Sequence, residues 1–486
     1  MASIKEKTID GVIWSFIDSF ANQGVHFIVG IILARLLSPR EFGLIGMLAI
    51  FIAVSQTFVD SGLGSSLIRK KDCTQTDYST VFYFNLLAGL SLYLLIFLFA
   101  QPISNFYNEP LLKPMVRVMG LGIIIRSFTI IQTTILRKRI DFKLNAKITV
   151  VSSILSGCIG IWLAYTGHGV WSLVIRTLTG FFFTSLFLWL WNKWFPSLVF
   201  SKDSFRQHFG FGSKLMLSQL INTIYQNAYY LVIGKYFSAQ ELGFFTRAQM
   251  FKDLPSKRYE TIMSRVTYPV LAQMQDNPEK LKYGYKKMIK SIMFLSFTLM
   301  AIMAAVAEPM ILSLIGEQWR QSIIYLQLLS FVGMMYPLHS LNLNMLNVQG
   351  RSGLFLRLEI IKKLIAIPTI VIGVFWGIKI MIIGMMVNTL IAYYINSYYS
   401  GRHINYPMRE QIIDIAPSFI LSMVVGAIVF FIGLILPFGN LYKLIILLIL
   451  GGSLVLTISE IFRIDAYLYI KEIAFSKIKE FRNGRR

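Results

Sequence analysis

Two cysteines in 486 residues leave no disulfide framework to read. Cys73 falls in a basic loop and Cys158 inside an apolar stretch, so neither has the paired spacing of a metal or redox site. Acidic residues are scarce too: 24 Asp and Glu stand against 47 Lys and Arg. Charged residues of both signs make up 15% of the chain, where soluble domains carry about 25%. There is no His-Glu-x-x-His and no Gly-x-Ser-x-Gly. Gly210-Phe-Gly-Ser-Lys214 lacks the G-x-x-x-x-G-K-[ST] spacing of a phosphate loop. Every loop is short, which leaves no room for a soluble catalytic domain. The expectation is a chain that is not an enzyme, hydrolyses no ATP, and needs no metal or cofactor.

What is present is apolar. Hydrophobic residues reach 55%, and apolar stretches of about 20 residues recur along the whole length, each long enough to cross about 30 Å of hydrocarbon. Strands of soluble sheets run only about 3–10 residues, so these stretches read as membrane helices. About fourteen spans are expected, near 12–34, 43–64, 79–100, 111–134, 146–166, 169–192, 212–235, 242–272, 288–307, 322–347, 353–376, 379–400, 412–436 and 440–461. The first has no basic n-region and no small-residue cleavage site, and reads as a retained helix.

The basic residues are sorted by side. Alternate loops and both termini hold about 32 Lys and Arg, among them Arg69–Lys71, Arg137–Arg139, Lys280–Lys290, Arg351–Lys363 and the tail to Arg486, while the opposite loops hold about seven. Positive loops are cytoplasmic, so both termini are expected on the cytoplasmic side of the membrane. The net charge of +23 is then mostly this bias, with added attraction to anionic membrane lipids, and not a nucleic-acid footprint.

The chain repeats. Leu33-Ala-Arg-Leu-Leu-Ser-Pro-Arg-Glu-Phe-Gly-Leu44 aligns without a gap on Ile233-Gly-Lys-Tyr-Phe-Ser-Ala-Gln-Glu-Leu-Gly-Phe244: Ser38/Ser238, Glu41/Glu241 and Gly43/Gly243 are identical. Asn22 likewise meets Asn222. An offset spanning six helices gives two lobes of equal orientation. The expected organisation is an N-terminal lobe at 1–200, a second lobe at 201–405, and a C-terminal helix pair with a basic tail at 406–486. The fold class is all-α integral membrane, two six-helix lobes around a central cleft.

Polar groups at bilayer depth are costly and usually face a cavity or a partner. On the first span Ser15, Asp18, Ser19, Asn22 and His26 share about 100° of helix surface; on the seventh, Ser218, Asn222 and Gln226 recur every fourth residue. Both stripes are expected to line the cleft, with hydrogen bonding inside each lobe as the other reading. Asp18 also has the chemistry to carry a coupling H⁺ or Na⁺.

The eighth span bears Arg247, Lys252, Asp253, Lys257, Arg258, Glu260 and Arg265. Arg247, Arg258 and Arg265 fall within about 20° of one another on an ideal helix, with Pro255 expected to kink it. A column of guanidinium forks suits a phosphate-bearing anion, with Lys252 and Lys257 lining the same cavity. The alternative is local Lys252–Asp253 and Lys257–Glu260 pairing with snorkelling arginines. Arg126 and Arg176 are further intramembrane cations.

Ala34-Arg-Leu-Leu-Ser-Pro-Arg-Glu-Phe-Gly43, followed by Asp60-Ser-Gly-Leu-Gly64, resembles the opening of polysaccharide transporters in the multidrug/oligosaccharidyl-lipid/polysaccharide exporter superfamily. Phe244-Phe-Thr-Arg-Ala248, Leu254-Pro255 and Tyr268-Pro-Val-Leu-Ala-Gln-Met-Gln-Asp-Asn-Pro278 resemble the eighth-helix region of the same family. The likeness is greatest to colanic-acid and teichuronic-acid type exporters and weakens after about residue 410. It implies a fourteen-helix, two-lobed flippase that moves undecaprenyl-diphosphate-linked oligosaccharide by alternating access, with cavity cations on the diphosphate. The expected partners are that lipid-linked sugar, membrane lipids, and the glycan polymerase and glycosyltransferases of its route. The rival readings are a drug or cation antiporter of the same superfamily and a membrane glycan polymerase or ligase.

Overall fold

A computed structural model describes residues 4–60, 62–262, 268–402 and 404–483. Among them every long element is a helix and no strand occurs. Residue contacts divide the chain into two compact units, Met1–Gly243 and Phe244–Arg486.

The first unit holds α1 (Ile4–Leu36), α2 (Pro39–Asp60), α3 (Leu63–Arg69), α4 (Gln75–Tyr107), α5 (Leu112–Ser127), α6 (Ile130–Lys138), α7 (Phe142–Tyr165), α8 (Val170–Asn192), α9 (Lys202–Tyr236) and the start of α10 (Ala239–Ile262). The second holds the rest of α10, then α11 (Tyr268–Ala272), α12 (Pro278–Ala305), α13 (Ala307–Leu314), α14 (Ser322–Met334), α15 (Tyr336–Val348), α16 (Ser352–Trp376), α17 (Ile378–Arg402), α18 (Met408–Ile435), α19 (Asn440–Ile461) and α20 (Asp465–Asn483).

Ten helical stretches among the described residues are long and apolar enough to cross a membrane; three of them join two helices end to end, as α5 and α6 do over Leu112–Lys138. The other four expected spans coincide with α1, α9, α10 and α16, which have 33, 35, 24 and 25 residues. These have the length but carry the polar residues singled out above. The described parts of the expected 242–272 span are helical, as α10 and α11; residues 263–267 lie outside the described residues.

Lipid contact is written on the surfaces. Leu87, Leu90, Leu94 and Leu98 of α4 recur every three or four residues and are all more than half exposed. Such a continuous apolar stripe belongs in hydrocarbon and not in water. Local signals set the helix ends. Thr74 and Asp77 form a capping box at α4, and Asn277 caps α12 ahead of Pro278, each satisfying N–H groups that no helix turn can reach. Asn108 closes α4 with φ 55°.

Inside the first unit α1 packs on α7, α7 on α8, α4 on α5, and α9 on α2, α3 and α4. The last contact surrounds a buried polar knot. Asp77 accepts from Ser204 Oγ at 2.6 Å and lies 2.8 Å from Lys70 Nζ. His208 of α9, 1% exposed, places Nε2 3.5 Å from Asp77 Oδ1 and Nδ1 2.8 Å from Ser66 Oγ. With Nε2 toward a carboxylate, the proton sits there and Nδ1 accepts from the serine.

Burial pushes the His208 pKa below its ordinary 6.5; the nearby Lys70 and Arg69 push the same way, and Asp77 opposes them. A depressed folded value means that the folded state prefers neutral imidazole. The contribution of His208 is therefore present in full above pH 6.5 and shrinks as the pH falls below it. Thermal unfolding of the detergent-solubilised protein should show a midpoint that drops as the pH falls below 6.5, with the His208 part of that drop absent in His208→Gln. Equal slopes in both proteins would assign the drop to other groups.

In the second unit α12 packs on α18 and α14, α16 on α17, and α18 on α19. Lys282, Lys286 and Lys290 of α12, spaced by four, meet Glu410 at 2.8 Å, Asp414 at 2.9 Å and Asp465 at 2.6 Å. They form a seam that joins α12 to α18 and α20.

Candidate functional site

The intramembrane cations of the first unit are held by long-range partners. Asn22 and His26 are one turn apart on α1 and meet Ser153 of α7: Ser153 Oγ donates to Asn22 Oδ1 at 2.5 Å and lies 3.4 Å from His26 Nε2. The other ring nitrogen, Nδ1, is 3.1 Å from the Arg176 guanidinium of α8. Arginine only donates, so Nδ1 must accept and His26 must carry its proton on Nε2. The result is a one-way relay, Arg176 to His26 to Ser153 to Asn22.

Arg126 of α5 donates from NH1 to Gln56 Oε1 at 3.1 Å, stands 3.9 Å from Asp60 Oδ2, and lies 5.3 Å over the Phe181 ring. Its side chain is 34% exposed. One neutral acceptor and one distant carboxylate leave most of a five-donor fork available to a ligand.

Small residues make this possible. A Cβ at Gly160 of α7 would meet the Arg176 stem at 2.8 Å, and one at Gly122 of α5 would meet the Phe181 ring at 2.9 Å. Both glycines let neighbouring helices approach closely enough to support an arginine. Gln56, Asp60 and Ser153 were missed as partners in the sequence. Their signal was faint: Gln56 and Asp60 are one helical turn apart on α2, facing the same way.

The stripe on α9 is laid out as its spacing predicts. Ser218, Asn222 and Gln226 are exposed along one strip, while Leu217, Ile221 and Ile224 are exposed along the strip beside it. Adjacent polar and apolar strips on one helix fit a wetted face next to a lipid face.

On α10, Arg247 lies 5.8 Å over the Trp319 ring and donates to Met250 Sδ at 3.1 Å. Lys252 is 2.6 Å from Asp253, so the local pair weighed above exists, and Ser256 Oγ donates to the Lys252 carbonyl. The helix runs unbroken through Pro255. The side chains of Asp18, Lys257 and Arg258, and Arg265 as a whole, lie outside the described residues. No group of three or more His, Cys, Asp or Glu able to hold a metal ion occurs among the described residues.

Apolar spanning helices that carry arginines and a polar relay at membrane depth define a multi-pass membrane transporter. The chain belongs to the family described as polysaccharide biosynthesis protein, whose model matches residues 32–324. It is 25% identical over 445 residues to lipopolysaccharide biosynthesis protein WzxC of Escherichia coli (strain K12), covering 89% of each chain. It is 24% identical over 359 residues to teichuronic acid biosynthesis protein TuaB of Bacillus subtilis (strain 168), covering 73% of this chain and 74% of the relative. Among solved structures, lipid II flippase MurJ in an inward closed conformation superposes with a TM-score of 0.73 at 17% identity, over 93% of this chain and 99% of that one. The two share a fold.

Proposed function

We propose that this protein is a flippase that carries undecaprenyl-diphosphate-linked oligosaccharide across a bacterial cytoplasmic membrane by alternating access, and is not an enzyme. The observation that carries the reading is Arg126. It is a guanidinium at membrane depth, fixed by Gln56 and Phe181, with most of its donors unspent. A diphosphate is the ligand that such a fork binds best, through paired charge-assisted hydrogen bonds. Arg176 supplies a second cation, and Arg247, Arg258 and Arg265 remain the proposed cationic face of the eighth span. The relatives named for polysaccharide pathways and the flippase fold support the same reading.

The proposed topology has fourteen spans with both termini cytoplasmic, supported by the positive bias of alternate loops. H⁺ or Na⁺ is the proposed coupling ion, and a glycan polymerase and glycosyltransferases are the proposed neighbours in the pathway.

The test is translocation of a fluorescent polyprenyl-diphosphate oligosaccharide in proteoliposomes. Transport that exceeds empty liposomes and responds to an imposed H⁺ or Na⁺ gradient is expected. Absence of transport by folded protein, together with binding of cationic drugs that ignores diphosphate lipids, would replace this reading with a drug exporter.

A further inference from the structure

A cavity of about 550 Å³ in the second unit is lined by Arg351, Gly353, Leu354, Arg357, Tyr399 and Arg402. It shares no residue with the arginines of α5, α8 and α10. Three guanidiniums and a phenol converge on it from the α15–α16 turn, the first turns of α16 and the last turn of α17. The antiparallel packing of α16 on α17 brings these ends together.

The frame beneath it is fixed. Gly350 takes φ 71°, a left-handed turn that only glycine adopts freely, and the Arg351 N–H closes it onto the Leu346 carbonyl at 2.9 Å. Gln349 Nε2 donates to the Ser400 carbonyl at 3.3 Å, and Ser400 Oγ donates to buried Asn342 at 2.5 Å. Tyr285 donates to the same Asn342 oxygen at 3.0 Å. The turn that carries Arg351 and the helix end that carries Tyr399 and Arg402 are thus tied to one buried amide.

The charge in the cavity is uncompensated. At this end of the unit Lys282 and Lys286 pair with Glu410 and Asp414, and Lys362 pairs with Glu359. No carboxylate lies within pairing distance of Arg351, Arg357 or Arg402 among the described residues. Three like charges held in one concave site repel each other until an anion enters. The start of α16 adds the positive end of a 25-residue helix.

The surroundings choose the kind of anion. Leu356, Ile360, Leu364, Ile367 and Val371 run down α16 from the cavity, each 46–58% exposed. This apolar track begins beside Arg357 and follows a helix long enough to cross the bilayer. A free phosphate or a nucleotide would leave it unused, whereas a lipid would fill it.

We propose that this cavity is a second anion site, which binds the phosphate or diphosphate headgroup of a lipid while the hydrocarbon chain lies along α16. Planar guanidiniums take phosphate oxygens two at a time, Tyr399 adds a hydroxyl donor, and three positive charges match a diphosphate better than a single carboxylate. Two lipids offer this chemistry: a polyprenyl diphosphate and an anionic phospholipid.

The test is lipid binding by the full-length protein, by native mass spectrometry or fluorescence titration, in an Arg126→Ala/Arg176→Ala background. That background removes the first unit's arginines from the signal, and the measurement does not depend on transport. The probes are undecaprenyl diphosphate, cardiolipin and inorganic pyrophosphate. Adding Arg351→Gln, Arg357→Gln and Arg402→Gln together should weaken lipid binding at least about tenfold. The charge-matched set Lys280→Gln, Lys287→Gln and Arg409→Gln should leave it unchanged. Loss confined to undecaprenyl diphosphate identifies the carrier lipid as the ligand, and loss confined to cardiolipin identifies a phospholipid. Equal binding by the arginine variant, or pyrophosphate binding as tight as that of either lipid, overturns the proposal.

Discussion

Replacing Arg126 with alanine is expected to slow translocation of a polyprenyl-diphosphate oligosaccharide by about tenfold to a hundredfold, with the fold intact. A hydrogen bond to a charged group contributes about 1.5–3 kcal/mol, and each 1.4 kcal/mol is a factor of ten. The side chain is part-exposed and has one neutral hydrogen-bond partner, Gln56, so the loss should fall on transport rather than on folding. The substitution also leaves Asp60, 48% exposed, facing the space that the anion would occupy, which adds repulsion to the lost donors. Arg126→Lys keeps the charge but not the fork, and should recover only part of the rate. The check is initial flipping rate in proteoliposomes at matched protein density. An unchanged rate in Arg126→Ala would remove this arginine from the transport path.

The second large effect is expected far from any charge. A Cβ on Gly43 would fall on the carbonyl oxygen of Ala239, and a Cβ on Gly243 would fall on the carbonyl oxygen of Pro39. Both obstacles are backbone, so no rotamer change relieves them. Gly43→Ala should cost about 1–3 kcal/mol of stability, as overpacking does in tight cores, and Gly243→Ala about the same. Because both act on one contact, the double variant should cost much less than the sum of the two. Thermal unfolding of the four proteins in one detergent measures the cycle. Strict additivity would show that the two glycines guard separate contacts.

Much of the architecture was legible because membrane helices announce themselves: 20-residue apolar stretches survive any error of a few residues at their ends. The motifs at Ala34–Gly43 and Phe244–Ala248 pointed to the family that the chain belongs to. The polar side chains of α1 were visible as a stripe, yet their partners were not. Nothing in one sequence says that Asn22 will meet Ser153, 131 residues away, or that His26 will meet Arg176. The lysines of α12 carry a second role that the side count left unseen. Their count fitted a loop bias, while their spacing of four, matched by Glu410 and Asp414 on α18, was the better clue to an ion-paired seam. Arg351 and Arg357 were read only as part of the charge bias, since a cavity they build with Arg402 from two helix ends has no linear signature.

The glycine contacts are reciprocal. Position 43 touches 239, and position 243 touches 39. Subtract the repeat offset of 200 and the two contacts become one, 43 with 39, made twice in opposite directions. That reciprocity is what a two-fold axis imposes on an isologous interface between identical subunits. Here it occurs within a single polypeptide, between two copies of one motif. A half-length chain bearing that motif once would offer the same surface to a second copy of itself, so one motif serves as both halves of the clasp.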